Sequence, residues 1–358
     1  MIALPVLAVV LFVNISPQMG KTPSGEYLEK LAVSQQHNGK VFVNPIPTSV
    51  DWGWRTMKDA MYDYMNAKRN SPKDTFPSDF QDFQQASADS ELYVTWFGHS
   101  ALYLEMEGKK ILIDPMLGSH SSPVPIFTPR FKFKQEIPLD KIPAVDAVIY
   151  SHDHYDHLDY GSVKALDSRV GHYYVPLGVG GHLRSWGVAP EKITEMDWNQ
   201  SADLDGIELV CTPARHFSGR GLTNKMTTLW ASWAIKGSHR KVYFSGDGGY
   251  GKHFKEIGEQ HGPFDLAFIE CGQYNEAWSD IHMLPDESAQ AGEDVNAKSV
   301  MPIHWGAFSL SPHDWDDPII KFKSLSEAKG LKVVHPIVGE RVGIPNAQAG
   351  NKWWANLN

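Results

Sequence analysis

The 358-residue chain reads as an α+β protein in which two mixed β-sheets pack face to face under a cover of helices. Three observations predict this. Short apolar and β-branched runs of strand length recur between residues 92 and 303. Stretches with helical spacing are interleaved with them in both halves of the chain, and no internal repeat or low-complexity block interrupts the pattern. Strands and helices mixed in this way bury their apolar faces in stacked layers. Hydrophobic residues make up 42% and charged residues 21%, enough for a sizeable core in one large domain.

Taken in order, residues 1–13, MIALPVLAVVLFV, are apolar throughout and have the length of an export-signal core. Residues 1–20 are therefore expected to be a signal peptide or membrane anchor, which implies an exported or membrane-associated protein, periplasmic or in the cell envelope if bacterial, with a cytoplasmic location as the alternative. Residues 21–90 read as a polar extension packing on the core. Trp52, Trp54, Met57, Met61 and Met65 suggest one amphipathic helix there with Asp51 as its N-cap, and 71–85 reads as a surface connection. The main domain is expected over 91–345, with 346–358 as a C-terminal tail. It opens with strands at 92–97, 101–105 and 110–113, a meander broken at Gly98 and Gly108. A long loop rich in Pro and Phe fills 119–138, and a strand follows at 145–150.

Beyond it, helices are expected at 158–166, 179–186, 250–257, 285–296 and 314–329. The fourth opens on Pro285 and the last stops at Gly330. Strands are expected at 173–176, 193–196, 207–212, 227–235, 242–245, 266–270 and 298–303. The two cysteines, Cys211 and Cys271, lie in strand-like contexts and read as buried thiols, since two cysteines build neither a disulfide framework nor a thiolate zinc site.

The stretch that carries chemistry is Ser151-His152-Asp153-His154-Tyr155-Asp156-His157, placed directly after a predicted strand. Imidazole nitrogen and carboxylate oxygen are the usual ligands of Zn²⁺. In an extended strand tail, positions i and i+2 point the same way, so His152 and His154 can grip one ion. Asp156 and His157, round the following bend, can face a second. One cluster does not fill two coordination shells. His216, Asp247 and His304 each follow an apolar strand, where loops carry sites, and are the candidates to complete them.

With these residues in this order, the chain resembles the metallo-β-lactamase-fold hydrolase superfamily. That resemblance implies a four-layer αββα sandwich. It implies that His152, His154 and His216 hold one ion, that Asp156, His157 and His304 hold the other, and that Asp247 bridges them. It also implies that Asp114, in Ile113-Asp114-Pro115, orients a ligand histidine. A narrower resemblance is to N-acyl-phosphatidylethanolamine-hydrolysing phospholipase D. It rests on Trp96-Phe97-Gly98-His99-Ser100, the loop 121–131, Ala214-Arg215-His216-Phe217-Ser218, Ser245-Gly246-Asp247-Gly248-Gly249-Tyr250, His282-Met283, and residues 38–45 near the N-terminus. It departs from that pattern at Gly248, where Thr is expected.

This resemblance implies a phosphodiesterase of phospholipase D type, using two Zn²⁺ (Mn²⁺ and Fe²⁺ being alternatives) to activate water. Catalysis would rest on Asp156, Asp247 and, as proton donor, His282, with His99 supporting the site. Hydrolysis of another small ester, a lactone, a cyclic phosphate or a β-lactam on the same residues is the alternative, and a metal-stabilised binding protein a second one. Trp52, Trp54, Phe127, Phe131 and Phe133 are candidates for an apolar lip, in keeping with a phospholipid partner and association with a membrane surface. A formal charge of −9 speaks against nucleic acid, whose phosphates need a basic face.

Overall fold

The computed structural model describes residues 12, 15–50, 53–67, 69–80, 83, 91–221, 223–346 and 351–357. The first sheet contains β1 (Leu92–Trp96), β2 (Leu102–Met106), β3 (Lys109–Ile113), β4 (Val145–Ile149), β5 (Val170–Pro176), β6 (Ile193–Met196) and β14 (Arg341–Ile344), in the order β14-β1-β2-β3-β4-β5-β6. The second contains β7 (Ser201–Leu204), β8 (Ile207–Thr212), β9 (Ser232–Lys236), β10 (Lys241–Phe244), β11 (Leu266–Glu270), β12 (Ser299–Ile303) and β13 (Lys332–Val333), in the order β13-β12-β11-β10-β9-β8-β7. The central strands are buried along their whole length, as in Leu266–Glu270 and Ser299–Ile303, because each sheet is covered on both faces.

Strand direction is what positions the site. β1 to β3 are antiparallel, and β3, β4, β5 and β6 are parallel. In the other sheet β8, β9 and β10 alternate, and β10, β11 and β12 are parallel. It follows that β1, β3 and β4 run one way within the first sheet, and that β8, β10, β11 and β12 share one direction within the second. Each of these seven strands carries a His, Asp or Glu at or just beyond its C-terminal end.

The helices are α1 (Glu26–Leu31), α2 (Trp54–Asn66), α3 (Tyr160–Leu166), α4 (Gly180–Ser185), α5 (His253–His261), α6 (Pro285–Asp294) and α7 (Asp317–Ala328). α3 starts directly after the metal loop because Asp159 caps it, accepting from the amides of Gly161 and Ser162. In α6 the Glu287 carboxylate reaches back to the amide of Leu284 at 2.9 Å.

Several expectations need correction. The alternating run 227–235 is a strand only from Ser232. Before it the chain crosses towards the other sheet, with Leu229 N donating to Leu177 O and Ala231 N to Ser151 O. β7, β13 and β14 were not expected: they are short, and exposed or half-exposed residues blunt their apolar pattern. The 71–85 connection is no surface loop, since Phe76, Phe80 and Phe83 are buried and Phe76 packs on Phe131 and Trp315. In the C-terminal segment, Trp353 stacks on Trp305 at 5.6 Å and both belong to the main core.

The predicted N-cap Asp51 and Trp52 lie outside the described residues, and α2 opens at Gly53. Of the residues expected to form an apolar lip, Trp54 and Phe127 are exposed, whereas Phe131 is buried. The expected leader falls mostly outside the described residues. Pro17–Met19 forms a short 3-10 turn that packs on the metal loop. Among the described residues no helix is long and apolar enough to cross a membrane.

Candidate metal centre

The loop after β4 folds back tightly, with Leu158 N donating to His154 O at 2.8 Å. This turn places the four donors of 152–157 on one side. His152 Nε2, His154 Nδ1 and His216 Nε2 converge, 2.8 and 3.3 Å apart across His154, and form one three-histidine group. Asp156, His157 and His304 form a second group together with His99. Asp247 lies between them. Its Oδ2 is 3.0 Å from the Nε2 atoms of both His157 and His304, and 3.9 and 4.0 Å from those of His152 and His216. All seven residues expected as ligands therefore meet in one place.

Two buried carboxylates support these groups. Asp114 accepts from His157 Nδ1 at 2.6 Å and from the amide and hydroxyl of Ser151, which turns His157 Nε2 towards the centre. Glu270, the last residue of β11, lies 2.5 Å from His282 Nδ1 and 3.5 Å from His304 Nδ1, and accepts from the amide of Gly248. Sequence reasoning missed Glu270. The signal was there: a carboxylate ending the apolar run Leu-Ala-Phe-Ile, where an unpaired charge would be costly.

His99 stands closer to the centre than a supporting role suggests. It is fully buried, its Nε2 is 2.8 Å from Asp156 Oδ2, and its Nδ1 has no hydrogen-bond partner among the described residues. Arg215, next to His216, pairs with Asp280 at 2.6 Å and is spoken for within the protein. Asp153 turns away from the centre and accepts from Gly219 N and Thr228 Oγ1.

The backbone here is held out of its ordinary range. His99, Asp114 and His304 all have positive φ (55°, 41° and 66°), a region disfavoured for side chains other than Gly and found at functional sites. Gly246 at φ 59° is required before Asp247, because a Cβ would lie 2.7 Å from Ala231 O. Gly248 is tight for a different reason: a Cβ would lie 3.2 Å from Arg215 O. The Thr expected there does not fit without a backbone shift.

The residues fit a pair of divalent cations. Among the described residues Asp247 Oδ1 is buried without a hydrogen-bond partner, and His157 Nε2, although 3.0 Å from Asp247 Oδ2, makes no well-aligned hydrogen bond, whereas buried polar atoms are normally satisfied. Electrostatics point the same way. Burial lowers His157, but Asp247, Asp156 and Asp114 outweigh it and push its pKa up to about 10. His304 is raised likewise, with burial outweighed by Asp247, Asp156 and Glu270. Burial raises Asp247, yet His157 and His304 hold it well below the usual carboxylate range. Protons on the two histidines thus supply the positive charge that a bound cation would replace. At the three-histidine group, burial and neighbouring imidazoles push His152 and His216 down, which favours the neutral form that ligates metal.

Residues 109–305 match the beta-lactamase superfamily domain. An uncharacterized protein of Mycobacterium tuberculosis (strain ATCC 25618 / H37Rv) is 47% identical over 269 residues, covering 74% of this chain and 72% of its own. The N-acyl-phosphatidylethanolamine-hydrolyzing phospholipase D 1 of Caenorhabditis elegans is 31% identical over 314 residues, covering 82% of this chain and 88% of its own. Among solved structures, the metallo hydrolase Igni18 of the archaeon Ignicoccus hospitalis superposes with a TM-score of 0.55 at 23% identity, covering 71% of this chain and 98% of its own.

Proposed function

The chain belongs to the beta-lactamase superfamily of metal-dependent hydrolases, and on that premise we propose that it hydrolyses a phosphodiester bond in N-acylated phospholipids at a centre of two zinc ions. The observation that carries this reading is the position of Asp247 Oδ2, within 4.0 Å of four imidazole nitrogens drawn from both ligand groups. One carboxylate oxygen so placed suits a shared ligand of two ions. The phospholipid substrate draws support from the relative in Caenorhabditis elegans, which is named for that activity.

His152, His154 and His216 would hold one ion, and Asp156, His157 and His304 the other, with Asp247 common to both. A zinc pair supplies Lewis-acid polarisation of a phosphoryl oxygen and a water of lowered pKa. The chain's own residues do the rest. Asp114 fixes the tautomer of His157, because a carboxylate accepts only and so leaves Nε2 free to ligate. Glu270 accepts from His282 Nδ1 and so stabilises the imidazolium form, whose Nε2–H would pass its proton to the leaving alkoxide and leave the neutral ring behind. His282 keeps 14% of its side chain exposed, as Asp156 does, on the open side of the cluster where a group must lie to meet substrate.

The test is direct. Metal-free protein is loaded with zinc and given vesicles of N-acyl-phosphatidylethanolamine, bis(p-nitrophenyl) phosphate and a lactone in parallel. Release of N-acylethanolamine and phosphatidic acid is expected. Turnover of the lactone alone would replace the phosphodiesterase reading by another hydrolysis on the same fold.

A further inference from the structure

The loop that carries four of the ligands is backed, on the side away from the centre, by the N-terminal end of the described chain. Residues 17–22 lie across two buried side chains. The first is Arg220, 3% exposed. Its four hydrogen bonds among the described residues all go to main-chain carbonyls. Nε and Nη2 donate to Gln18 O at 3.0 and 2.8 Å, and Nη1 donates to Asp153 O and Leu158 O at 2.5 and 2.7 Å. Asp153 and Leu158 bracket the ligands His154, Asp156 and His157. A guanidinium offers donors in a rigid planar fork, so these acceptors are held at fixed spacing. The ring of Tyr155, inside the ligand run, lies 4.0 Å from the guanidinium carbon.

The second side chain is His182, in α4 and fully buried. Lys21 N–H donates to its Nδ1 at 2.9 Å. The ring hydrogen must therefore sit on Nε2, which donates to Asp153 Oδ2 at 3.1 Å. Asp153 stands between His152 and His154. The N-terminal segment thus sets, through two separate lines of hydrogen bonds, both the main chain and a side chain of the metal loop. Its approach is close: at Gly20, φ 69°, a Cβ would lie 2.1 Å from His182 Nδ1.

We propose that residues 17–22, Arg220 and His182 form a clamp that positions the 152–157 loop for metal binding, with Arg220 as the positioning residue. This rests on the reading of His152, His154, Asp156 and His157 as metal ligands. No clamp residue is itself a ligand. Loss of the outer partners of metal ligands weakens binding by about 10- to 100-fold.

The experiment is zinc titration of metal-free, full-length protein by calorimetry, with the Co²⁺ absorption spectrum as a readout of ligand geometry. Gly20→Val lifts the segment off His182. Lys21→Pro removes the N–H without adding bulk at Gly20, and serves if the first variant does not fold. Arg220→Met and Arg220→Lys separate the loss of all donors from the loss of the fork, with partial recovery expected for Lys. Lys30→Ala, an exposed change on the same arm, is the control. Zinc affinity is expected to fall about 10- to 100-fold in the clamp variants, with an altered Co²⁺ spectrum and unchanged secondary structure by circular dichroism. Wild-type affinity and spectrum in folded Gly20→Val or Lys21→Pro protein would overturn the clamp and leave the metal reading intact. Failure of the wild-type protein to bind zinc would overturn the reading beneath it.

Discussion

Glu270 Oε1 lies 2.5 Å from His282 Nδ1, joining the end of a buried strand to a partly exposed imidazole at the rim of the metal centre. If His282 passes the proton, Glu270→Gln removes the negative charge behind its imidazolium and adds an amide donor beside Nδ1. Turnover should fall by about 10²-fold, within the range for general acid catalysis, when zinc is supplied in excess so that both sites are filled. Glu270→Gln/His282→Ala should be no slower than His282→Ala alone, because the two act as one unit. Additive losses in steady-state kinetics would separate them.

Asp247→Asn keeps the shape and one acceptor oxygen but removes the charge shared by both ligand groups. Elemental analysis should show less than two metal equivalents per chain, with turnover reduced by at least about 10²-fold. Full activity with both ions retained would contradict a shared carboxylate.

His157, with its pKa pushed up to about 10, and His304, raised in the same direction, carry protons at pH 7 in the metal-free protein. Ligation must expel them. Zinc binding should therefore release protons, and apparent affinity should rise with pH from neutrality towards about 10. Calorimetry in buffers of different ionisation enthalpy measures the count, and a value of zero would contradict the assignment. The same shift governs the metal-free fold. A raised histidine binds more protons folded than unfolded, so its contribution is complete below about 6.5 and is lost as pH climbs through about 10. The melting temperature of metal-free protein should fall across that window.

Trp353, from the C-terminal segment, stacks on Trp305, the neighbour of His304 in the chain. Trp353→Ala should cost about 3–5 kcal/mol in denaturant unfolding, as for large buried aromatics elsewhere. It should also weaken metal binding, since Trp305 directly follows His304 in the chain and its packing fixes that end of the strand. A loss below about 1 kcal/mol would mean that the segment is dispensable.

Arg220 uses Gln18 O as its outer acceptor, so any processing of the apolar N-terminus should leave Gln18 in place. Intact-mass measurement of protein purified from its native source should show a first residue at or before 18. A mature chain beginning after Lys21 that still binds two zinc ions would rule this out.

Much of this centre was legible in the sequence because strand-end chemistry is local. His152, His154, Asp156 and His157 share one loop, and His216, Asp247 and His304 each follow an apolar run. What was not legible depends on distance along the chain. Glu270 looked like the end of a strand until folding set it against His282. His182 fell inside a predicted helix with nothing nearby in sequence to mark it, because its partner Lys21 lies 161 residues earlier. The run 227–235 alternates like a strand throughout, but Leu229 and Ala231 spend their amides on Leu177 and Ser151 and not on a neighbouring strand. Trp353 and Phe76 sit in polar surroundings that hide their burial.

The ligands come from both sheets. In the proposed assignment the first contributes the 152–157 loop, backed by His99 and Asp114, and the second His216, Asp247 and His304, with Glu270 behind them. Neither half holds a complete coordination set. Exchange of one half for a sheet that lacks these side chains would leave the centre incomplete even where the new sheet packed well.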